Sequence, residues 1–489
     1  MVLGVDFGTS FSQVAVYDNG NVKMLATGGK YGTPSVFYYD SVQGEQVGLD
    51  AEKTATLPIS IPGNLVRDVK MRLNETFNLD GKTFTSSEII KSIYKEILLQ
   101  AIELGEREYG DKFKIDGIVI SHPAEFKMTD IGLIADAARD CLPNTQIKIL
   151  GTIKEPVAAA INYYNADPQP DGTNVLVFDL GGGTCDLAVV STDRKTPSQF
   201  YVEDSKMIKV GGRDWDKALM EYVIKQIALK NNNEGAIRNN ADYMNIIKKA
   251  SIEAKHDLTE YPSTTVRVNY QAEQHNIKIT RDIFDSITVD LLEKTLDALD
   301  EFYEKNAKKI KNLKSIICVG GSSNMPQIMN GIKNRFPNCE VRSYQPEYSV
   351  VSGGAIFADR MISGFDFVPF SYGIEGRKDD TSGDHVVRNI IKKGERYPTT
   401  HACCMFKVPA GLPGVRLSVY EAECKDDEYL LNSTQKEKQI GYIYLNLNSI
   451  AKQDVPVRCE LTINSLHTIE LKAEDKNGNK IKTEFKLSI

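Results

Sequence analysis

The sequence lacks the residue clusters that hold metals or build disulfide frameworks. Its eight cysteines are scattered along 489 residues without metal-ligand spacing, and its six histidines do not cluster. This usage predicts reduced thiols in a cytoplasmic protein and argues against a zinc site. No apolar run approaches the ~20 residues that cross a bilayer. A strand pattern, in place of a secretory signal, begins at the N-terminus.

Basic charge is also scarcer than acidic charge. The formal net charge is −7, which argues against nucleic acid or an anionic membrane as a partner. With 41% hydrophobic residues the chain can form large cores. At about 150 residues per unit, its length predicts two to four compact units.

One stretch carries the clearest signal of a binding site. A continuous apolar strand over residues 175–178 ends at Asp179, and a second apolar strand resumes at Leu187. Between them stand Gly181, Gly182, Gly183 and Thr184. Glycine lets backbone N–H groups approach an anion closely, and the threonine adds a hydroxyl. The pattern predicts a phosphate-sized cradle at the tip of a hairpin.

The N-terminus repeats this order of residues. A strand ends at Asp6, Gly8, Thr9 and Ser10 form the turn, and a second strand follows. The two aspartates lie 173 positions apart, which indicates a duplicated unit. Two such hairpins facing each other would clamp one polyphosphate, with Asp6 and Asp179 holding Mg²⁺ through water.

Further residues fit the same chemistry. Gly320, Gly321 and Ser322 form a third strand-to-glycine turn before a helix start, a place that can receive ribose or phosphates. Glu155 begins a helix soon after a strand, which leaves open a site role or a favourable helix-dipole contact. Asp186 lies where it could orient a water. Lys70 on its own has the pattern of a solvated lysine.

Two other regions have clear local signals. A capping box at Thr85 and Glu88 starts a helix for which Gly105 is the predicted stop. After about residue 364 helical periodicity disappears and strands alternate, with a hairpin turn at Asn477 and Gly478. We predict an antiparallel β-sandwich for residues 365–489.

These motifs resemble those of the actin-like ATPases, and among them the DnaK-type, seventy-kilodalton heat-shock chaperones. The resemblance covers nearly the whole chain. Asp6 to Ser10 is similar to the first phosphate loop of the family, Asp179 to Thr184 to the second, and Gly320 to Ser322 to the adenosine loop. It implies an α/β fold, a duplicated actin-like (ribonuclease H-like) ATPase domain over residues 1–364. Its lobes would cover about 1–168 and 169–364, and the sandwich would follow.

The resemblance also assigns site residues. The segments around Lys70 and Glu155 are similar to those that carry the catalytic lysine and the magnesium-side glutamate. The predicted catalytic set is Lys70, Glu155, Asp179, Thr184 and Asp186. The predicted nucleotide contacts beyond the three turns are Gly211, Gly212, Lys255, His256, Thr259 and Glu347. His256 replaces the arginine that stacks on adenine, and Ile252 replaces a glutamate.

The implied function is slow ATP hydrolysis with binding of extended apolar client peptides, with ATP or ADP and Mg²⁺ as cofactors. A J-domain cochaperone and a nucleotide-exchange factor are the implied partners. Val408 and Val415 fall on positions of the peptide groove, although buried strand valines would explain them equally well. We expect no counterpart of the family's helical lid. We also expect no counterpart of its leucine-rich linker, because the segment 361–370 is short and contains no leucine.

Two other functions fit the superfamily. A sugar or metabolite kinase would need a small-substrate pocket and a catalytic base, and no motif supplies them. A filament-forming actin relative would not need the appended sandwich.

Overall fold

The structure is a computed structural model of the chain. It describes all residues except 26–31, 56, 58–59, 62, 143–146, 168–172, 193–199, 232–233, 271–272, 311–312, 344, 361–365, 369, 379–382, 394, 398, 423, 425, 433–436, 464–467 and 486–489. Most of the junction at residues 361–370 therefore lies outside the described part of the chain.

The N-terminal sheet is built around the strand that ends at Asp6. Val2–Phe7 pairs in parallel with Gly117–His122 and antiparallel with Phe11–Asp18. The sheet order is Ile149–Lys154, Gly117–His122, Val2–Phe7, Phe11–Asp18 and Asn21–Met24, with Thr33–Pro34 also paired to Phe11–Asp18. Every residue of Gly117–His122 is buried, as expected for a strand covered on both faces.

A second sheet repeats this pairing pattern. The strand that ends at Leu180 pairs in parallel with Leu313–Val319 and antiparallel with Cys185–Thr192. The sheet order is Glu340–Ser343, Leu313–Val319, Asn174–Leu180, Cys185–Thr192 and Phe200–Ile208. In each sheet, successive strands pair in parallel on one side of the central strand and antiparallel on the other, so the two sheets share one pairing order.

Two helices pack in a core with strands of both sheets. Glu155–Ala166 and Ser349–Arg360 contribute Val157, Ile161 and Ile356 to a buried cluster that also contains Val119 and Val177. The helices cross so closely that a Cβ on Gly353 would lie 1.7 Å from the carbonyl oxygen of Ala158. Because backbone cannot yield as a flexible side chain can, glycine is required at this crossing.

We expect Gly353→Ala to lower the free energy of unfolding by about 2 kcal/mol or more, since overpacking a rigid contact typically costs ~1–3 kcal/mol. Gly235→Ala is the matched control, because a Cβ at this position, in the helix Glu234–Arg238, has no atom within 4 Å. Denaturant unfolding of both variants checks the prediction. Equal stabilities would show that the helices can separate without cost.

The other helices lie outside these sheets. In the described part they are Gly48–Thr54, Ser86–Tyr109, Met128–Arg139, Gly212–Asn231, Glu234–Arg238, Ala241–Glu260, Arg281–Ile287, Val289–Asn306 and Pro326–Arg335. Short 3₁₀ turns cover Val69–Met71, Gly110–Lys112 and Gly321–Asn324. None of the helices in the described ranges is long and apolar enough to cross a bilayer.

The predicted start of the second of these helices is confirmed and its predicted end is wrong. Thr85 and Glu88 form the reciprocal capping box, and the helix runs from Ser86 to Tyr109. Gly105 lies inside the helix. Glycine is needed there because the Cζ atom of Phe113 is 2.3 Å from the position that a Cβ on Gly105 would take. Gly110, with φ near +60°, is the residue that follows the last turn.

Small sheets are also present among the described residues. Phe37–Asp40 pairs with Gly44–Val47 and Leu65–Val66, Thr76–Leu79 with Lys82–Thr85, and Ser263–Tyr270 with Glu273–Thr280. In the C-terminal region, Asp366–Phe367 pairs with Arg396–Tyr397.

The C-terminal residues form two antiparallel sheets. The first has the order Glu428–Leu430, His385–Ile391, Ser371–Arg377, Gly414–Ala422 and Lys438–Asn446. The second has the order Thr399–Val408, Val455–Ile463, Ile469–Asp475 and Lys480–Phe485. Both contribute to one buried cluster, for example through Leu417 of the first sheet and Leu461 of the second. The predicted hairpin turn is present, with Gly478 at φ +84°.

The C-terminal sheets contact the rest of the chain at the start of the helix Met128–Arg139. Met128 is 2% exposed and belongs to the same buried cluster as Tyr372. The Tyr372 hydroxyl donates to Glu421 Oε2 at 3.0 Å and lies 3.3 Å from Met128 Sδ. Burial raises the pKa of Glu421.

Candidate functional site

A cleft of about 1510 Å³ is lined by both predicted phosphate turns and by the third glycine turn. The predicted residues that line it come from seven separate segments. They are Asp6, Gly8, Thr9, Ser10, Lys70, Glu155, Asp179, Gly181, Gly182, Thr184, Asp186, Lys255, His256, Thr259, Gly320, Gly321, Ser322 and Glu347. The fold therefore brings most of the sequence-predicted site residues into one cleft.

The two hairpin turns contact each other. A Cβ on Gly182 would lie 2.1 Å from Ser10 Oγ of the opposite turn. Within the second turn, the Gly181 amide donates to the Thr184 carbonyl at 3.0 Å. The two glycine turns therefore lie next to each other in the cleft, and glycine turns of this kind form anion-binding concavities in proteins.

Three predicted glycines, Gly183, Gly211 and Gly212, are not among the residues that line the cleft. Gly212 donates its amide to the Gly181 carbonyl at 2.9 Å, so the start of the helix Gly212–Asn231 is tied to the second turn. A Cβ on Gly211 would lie 2.5 Å from the Gly183 amide nitrogen. Gly183, Gly211 and Gly212 were predicted as direct contacts, but their positions fit close packing that supports the second turn.

A buried ion pair joins two predicted catalytic residues. Lys70, on the turn Val69–Met71, lies with its Nζ 2.6 Å from Glu155 Oε1, and the two side chains are 3% and 12% exposed. Burial lowers the pKa of Lys70, but attraction to Glu155 and Asp6 outweighs it and the net pKa is raised. Burial raises the pKa of Glu155, and Lys70 offsets part of that rise. The contact with Glu155 therefore fixes the position of the Lys70 ammonium in the cleft that the two glycine turns line.

Carboxylates crowd the cleft around this pair. Asp6 accepts a hydrogen bond from Ser121 Oγ at 2.6 Å. Burial, together with repulsion from Glu155, raises the pKa of Asp179 well above its ordinary range. Burial also raises the pKa of Asp186 to about 6, although the Thr184 hydroxyl donates to it at 2.8 Å. Such crowding of negative charge in a buried place is relieved by a bound cation.

The residues fit a magnesium ion held through water. The Asp186 Oδ1 atom is buried without a hydrogen-bond partner. Among the residues that the structure describes, no three Asp, Glu, His or Cys side chains are placed to ligate one metal ion directly. Oxygen ligands with several retained waters are what Mg²⁺ prefers.

The raised pKa of Asp186 predicts a pH effect on stability in the absence of divalent cations. A carboxyl whose pKa is higher when folded contributes stability below its unfolded value of 3.8, and this stability is lost as the pH rises through about 6. Relative to Asp186→Asn, wild type should lose about 2 kcal/mol of unfolding free energy between pH 4.5 and 7.5. Unfolding in EDTA measures this difference. Parallel pH profiles for the two proteins would contradict it.

The predicted ribose contacts are bonded within the protein. Lys255 Nζ donates to the Gly212 carbonyl at 3.0 Å and pairs with Asp216 Oδ1 at 2.8 Å. The Thr259 hydroxyl donates to the Lys255 carbonyl at 3.1 Å. His256 and Ile252, the two departures from the family pattern, line the cleft beside them.

The third turn is held by Pro346 and Glu347, which lie between the strand Glu340–Ser343 and the helix Ser349–Arg360. The Gly320 amide donates to the Pro346 carbonyl at 3.0 Å, and Gly320 has φ +79°. The carbonyl of Glu347 accepts from Gln13 Nε2 at 2.9 Å. Glu347 thereby connects the third turn to the first hairpin.

The predicted peptide residues lie in the C-terminal sheets, outside this cleft. Val408 is fully buried in the cluster that both sheets share, so in this arrangement it cannot contact a peptide. Val415 is partly buried at the edge of the same cluster. Only Val415 of the two keeps accessible surface.

Sequence reasoning missed Asp68, Arg213 and Asp216, all of which line the cleft. Arg213 Nε donates to the Gly182 carbonyl at 3.0 Å, and its guanidinium pairs with Asp68. The signal that could have found Arg213 is a cation in the first turn of a helix, where the helix dipole disfavours it.

A family model described as Hsp70 protein matches residues 59–486. The match covers most of the chain, from the segment before Lys70 to the last strand of the C-terminal sheets.

Proposed function

Because the chain belongs to the Hsp70 protein family, whose members are chaperone-type ATPases, we propose that its cleft binds ATP or ADP with Mg²⁺ and hydrolyses ATP. The observation that carries this proposal is the pair of facing glycine turns with the Lys70–Glu155 ion pair buried beside them. Phosphoryl transfer requires mainly positioning and charge neutralisation, and this arrangement supplies both.

The residues divide these tasks among them. The amides of the two turns, with Thr9, Ser10 and Thr184, hold the phosphates. Asp6 and Asp179 would hold Mg²⁺ through water, and the ion would supply charge neutralisation. Lys70 and Thr184 orient the terminal phosphate and the attacking water, and Asp186 accepts a hydrogen bond from that water. The oxygen of the water bonds to the terminal phosphorus as the bond from that phosphorus to the bridging oxygen of ADP breaks, and one proton of the water passes to the Asp186 carboxylate.

Calorimetry tests binding. We expect ATP and ADP to bind in Mg²⁺ and to bind more weakly in EDTA. Turnover measured with and without added sugars separates hydrolysis from a kinase reaction, and sedimentation with ATP detects filaments. Binding that ignores Mg²⁺ would contradict the proposed metal role.

We further propose that residues 365–489 form a sandwich that binds extended apolar peptides, and that residues 1–364 form the two-lobed ATPase domain. One buried cluster shared by the two C-terminal sheets supports the first unit. The repeated sheet order supports the second. Client peptides, a J-domain cochaperone and a nucleotide-exchange factor are the partners that follow from this proposal.

Peptide affinity is expected to change by less than about tenfold between ADP and ATP, a coupling free energy below ~1.4 kcal/mol. Coupling requires two arrangements of the units with different contacts. The short junction, with Asp366 and few aliphatic residues, is a poor docking segment. Fluorescence anisotropy of a labelled apolar peptide, titrated in each nucleotide, measures the change. A tenfold or larger difference would show that the units communicate, and the contact of Met128 with Tyr372 would then be the first place to examine.

A further inference from the structure

Arg213 is a cation in a place that the helix alone does not favour. It lies in the first turn of Gly212–Asn231, at the positive end of the helix dipole. Its backbone amide also donates to the Gly182 carbonyl, at 2.9 Å. The backbone of this residue is therefore fixed against the second phosphate turn, and its side chain stays in the cleft.

The guanidinium lies close to the second glycine turn, to the first glycine turn and to Asp68. Nε donates to the Gly182 carbonyl at 3.0 Å, and Nη2 lies 2.0 Å from the position that a Cβ on Gly183 would take. Thr9 Cγ2, from the first turn, is 3.6 Å from that same position. A terminal phosphate held between the two turns would lie beside this guanidinium.

Asp68 is the present anionic partner of the guanidinium. The two residues form an ion pair across the cleft, and each is about one-third exposed. Asp68 has φ +63° and precedes the 3₁₀ turn that carries Lys70. A carboxylate and a phosphate compete for the same guanidinium N–H groups, since both accept them in the same fork geometry.

We propose that Arg213 is a terminal-phosphate ligand that releases Asp68 when the γ-phosphate of ATP enters the cleft, and so distinguishes ATP from ADP. This rests on the proposed nucleotide binding. It adds a specificity-determining residue to the phosphate turns and links phosphate occupancy to the turn that carries Lys70.

The test compares the affinities of two probes by calorimetry in Mg²⁺. The probes are ADP and the ATP analogue with a β,γ-imido bridge. Arg213→Gln should weaken the analogue about tenfold and change ADP by less than about twofold, because only the analogue has the third phosphate. Asp68→Asn removes the competing anion, so it should bind the analogue as tightly as wild type or more tightly. Arg213→Lys keeps the charge without the fork and should fall between wild type and Arg213→Gln.

A purely structural role would not make Arg213→Gln weaken binding of the analogue while Asp68→Asn preserves or strengthens it. If Arg213 only braced the Lys70 turn through Asp68, both variants would weaken both probes to a similar degree, and that result would overturn the proposal. The proposal would also be overturned if Arg213→Gln and Arg213→Lys lost as much affinity for ADP as for the analogue, whatever the result for Asp68→Asn. Absence of nucleotide binding in wild type would overturn the proposed function as well.

Discussion

Lys70→Ala is expected to lower the single-turnover rate of ATP hydrolysis by about 10²-fold while nucleotide affinity changes little. Loss of a positioned donor in a buried site costs about 3 kcal/mol of barrier. Lys70 is 3% exposed and held by Glu155 at 2.6 Å, so its ammonium is already orientated before a substrate binds. In the proposed function the backbone amides of the turns would carry most of the ground-state affinity, so we expect binding to survive.

Two comparisons make this result specific. Thr184→Ala should also slow hydrolysis much more than binding, because its hydroxyl holds Asp186 at 2.8 Å. Lys82→Ala is the control, since Lys82 forms an exposed pair with Glu45 in the same part of the chain and exposed pairs contribute about 1 kcal/mol or less. A Lys70→Ala rate within a factor of about two of wild type would reject the catalytic role.

Gly182→Val is expected to reduce ATP and ADP affinity by at least about 100-fold, or ~2.7 kcal/mol. The first added carbon lies 2.1 Å from Ser10 Oγ. Ser10 can rotate away from a single methyl group, so Gly182→Ala should be milder. The branched side chain of valine must either separate the two turns or fill the space between them, and both remove the anion-binding concavity.

Gly132→Val is the matched control for this substitution. Gly132 lies within the helix Met128–Arg139, and a Cβ there has no atom within 4 Å. Calorimetry of the three variants with MgATP and MgADP checks the series. If Gly182→Val bound nucleotide as Gly132→Val does, the phosphates could not lie between these turns.

Much of the scaffold of the site could be predicted because it is encoded locally. A continuous apolar strand, an aspartate and a glycine turn occur within about ten residues, and the two copies fold into sheets with the same pairing order. The capping box at Thr85 is likewise a contact between neighbours in sequence. Local signals of this kind require no knowledge of the rest of the chain.

The remaining features depend on residues that are distant in sequence. The local pattern around Lys70 is that of a solvated lysine, and only the family resemblance marks the residue, because its partner Glu155 is 85 positions away. Gly105 has the pattern of a helix stop, but the ring of Phe113 uses it for packing. The family resemblance places Val408 in the peptide groove, yet it is buried in the cluster that the two C-terminal sheets share.

Arg213 and Asp68 show the same limit. Each belongs to a segment whose local pattern concerns other residues, the glycines of the second turn in one case and Lys70 in the other. Their pairing exists only because the fold places the helix Gly212–Asn231 against the turn at Val69–Met71. The place of Arg213 in the first turn of its helix marks that residue, but neither segment alone indicates that Arg213 and Asp68 pair.

Release of inorganic phosphate from MgATP by the purified chain, with no acceptor molecule added, tests the central claim most directly. We expect each chain to release one phosphate in a single turnover, at a rate that falls about 10²-fold in Lys70→Ala. ATP that binds but yields phosphate only as a product attached to an added sugar or metabolite would contradict it, and so would a rate unaffected by Lys70→Ala.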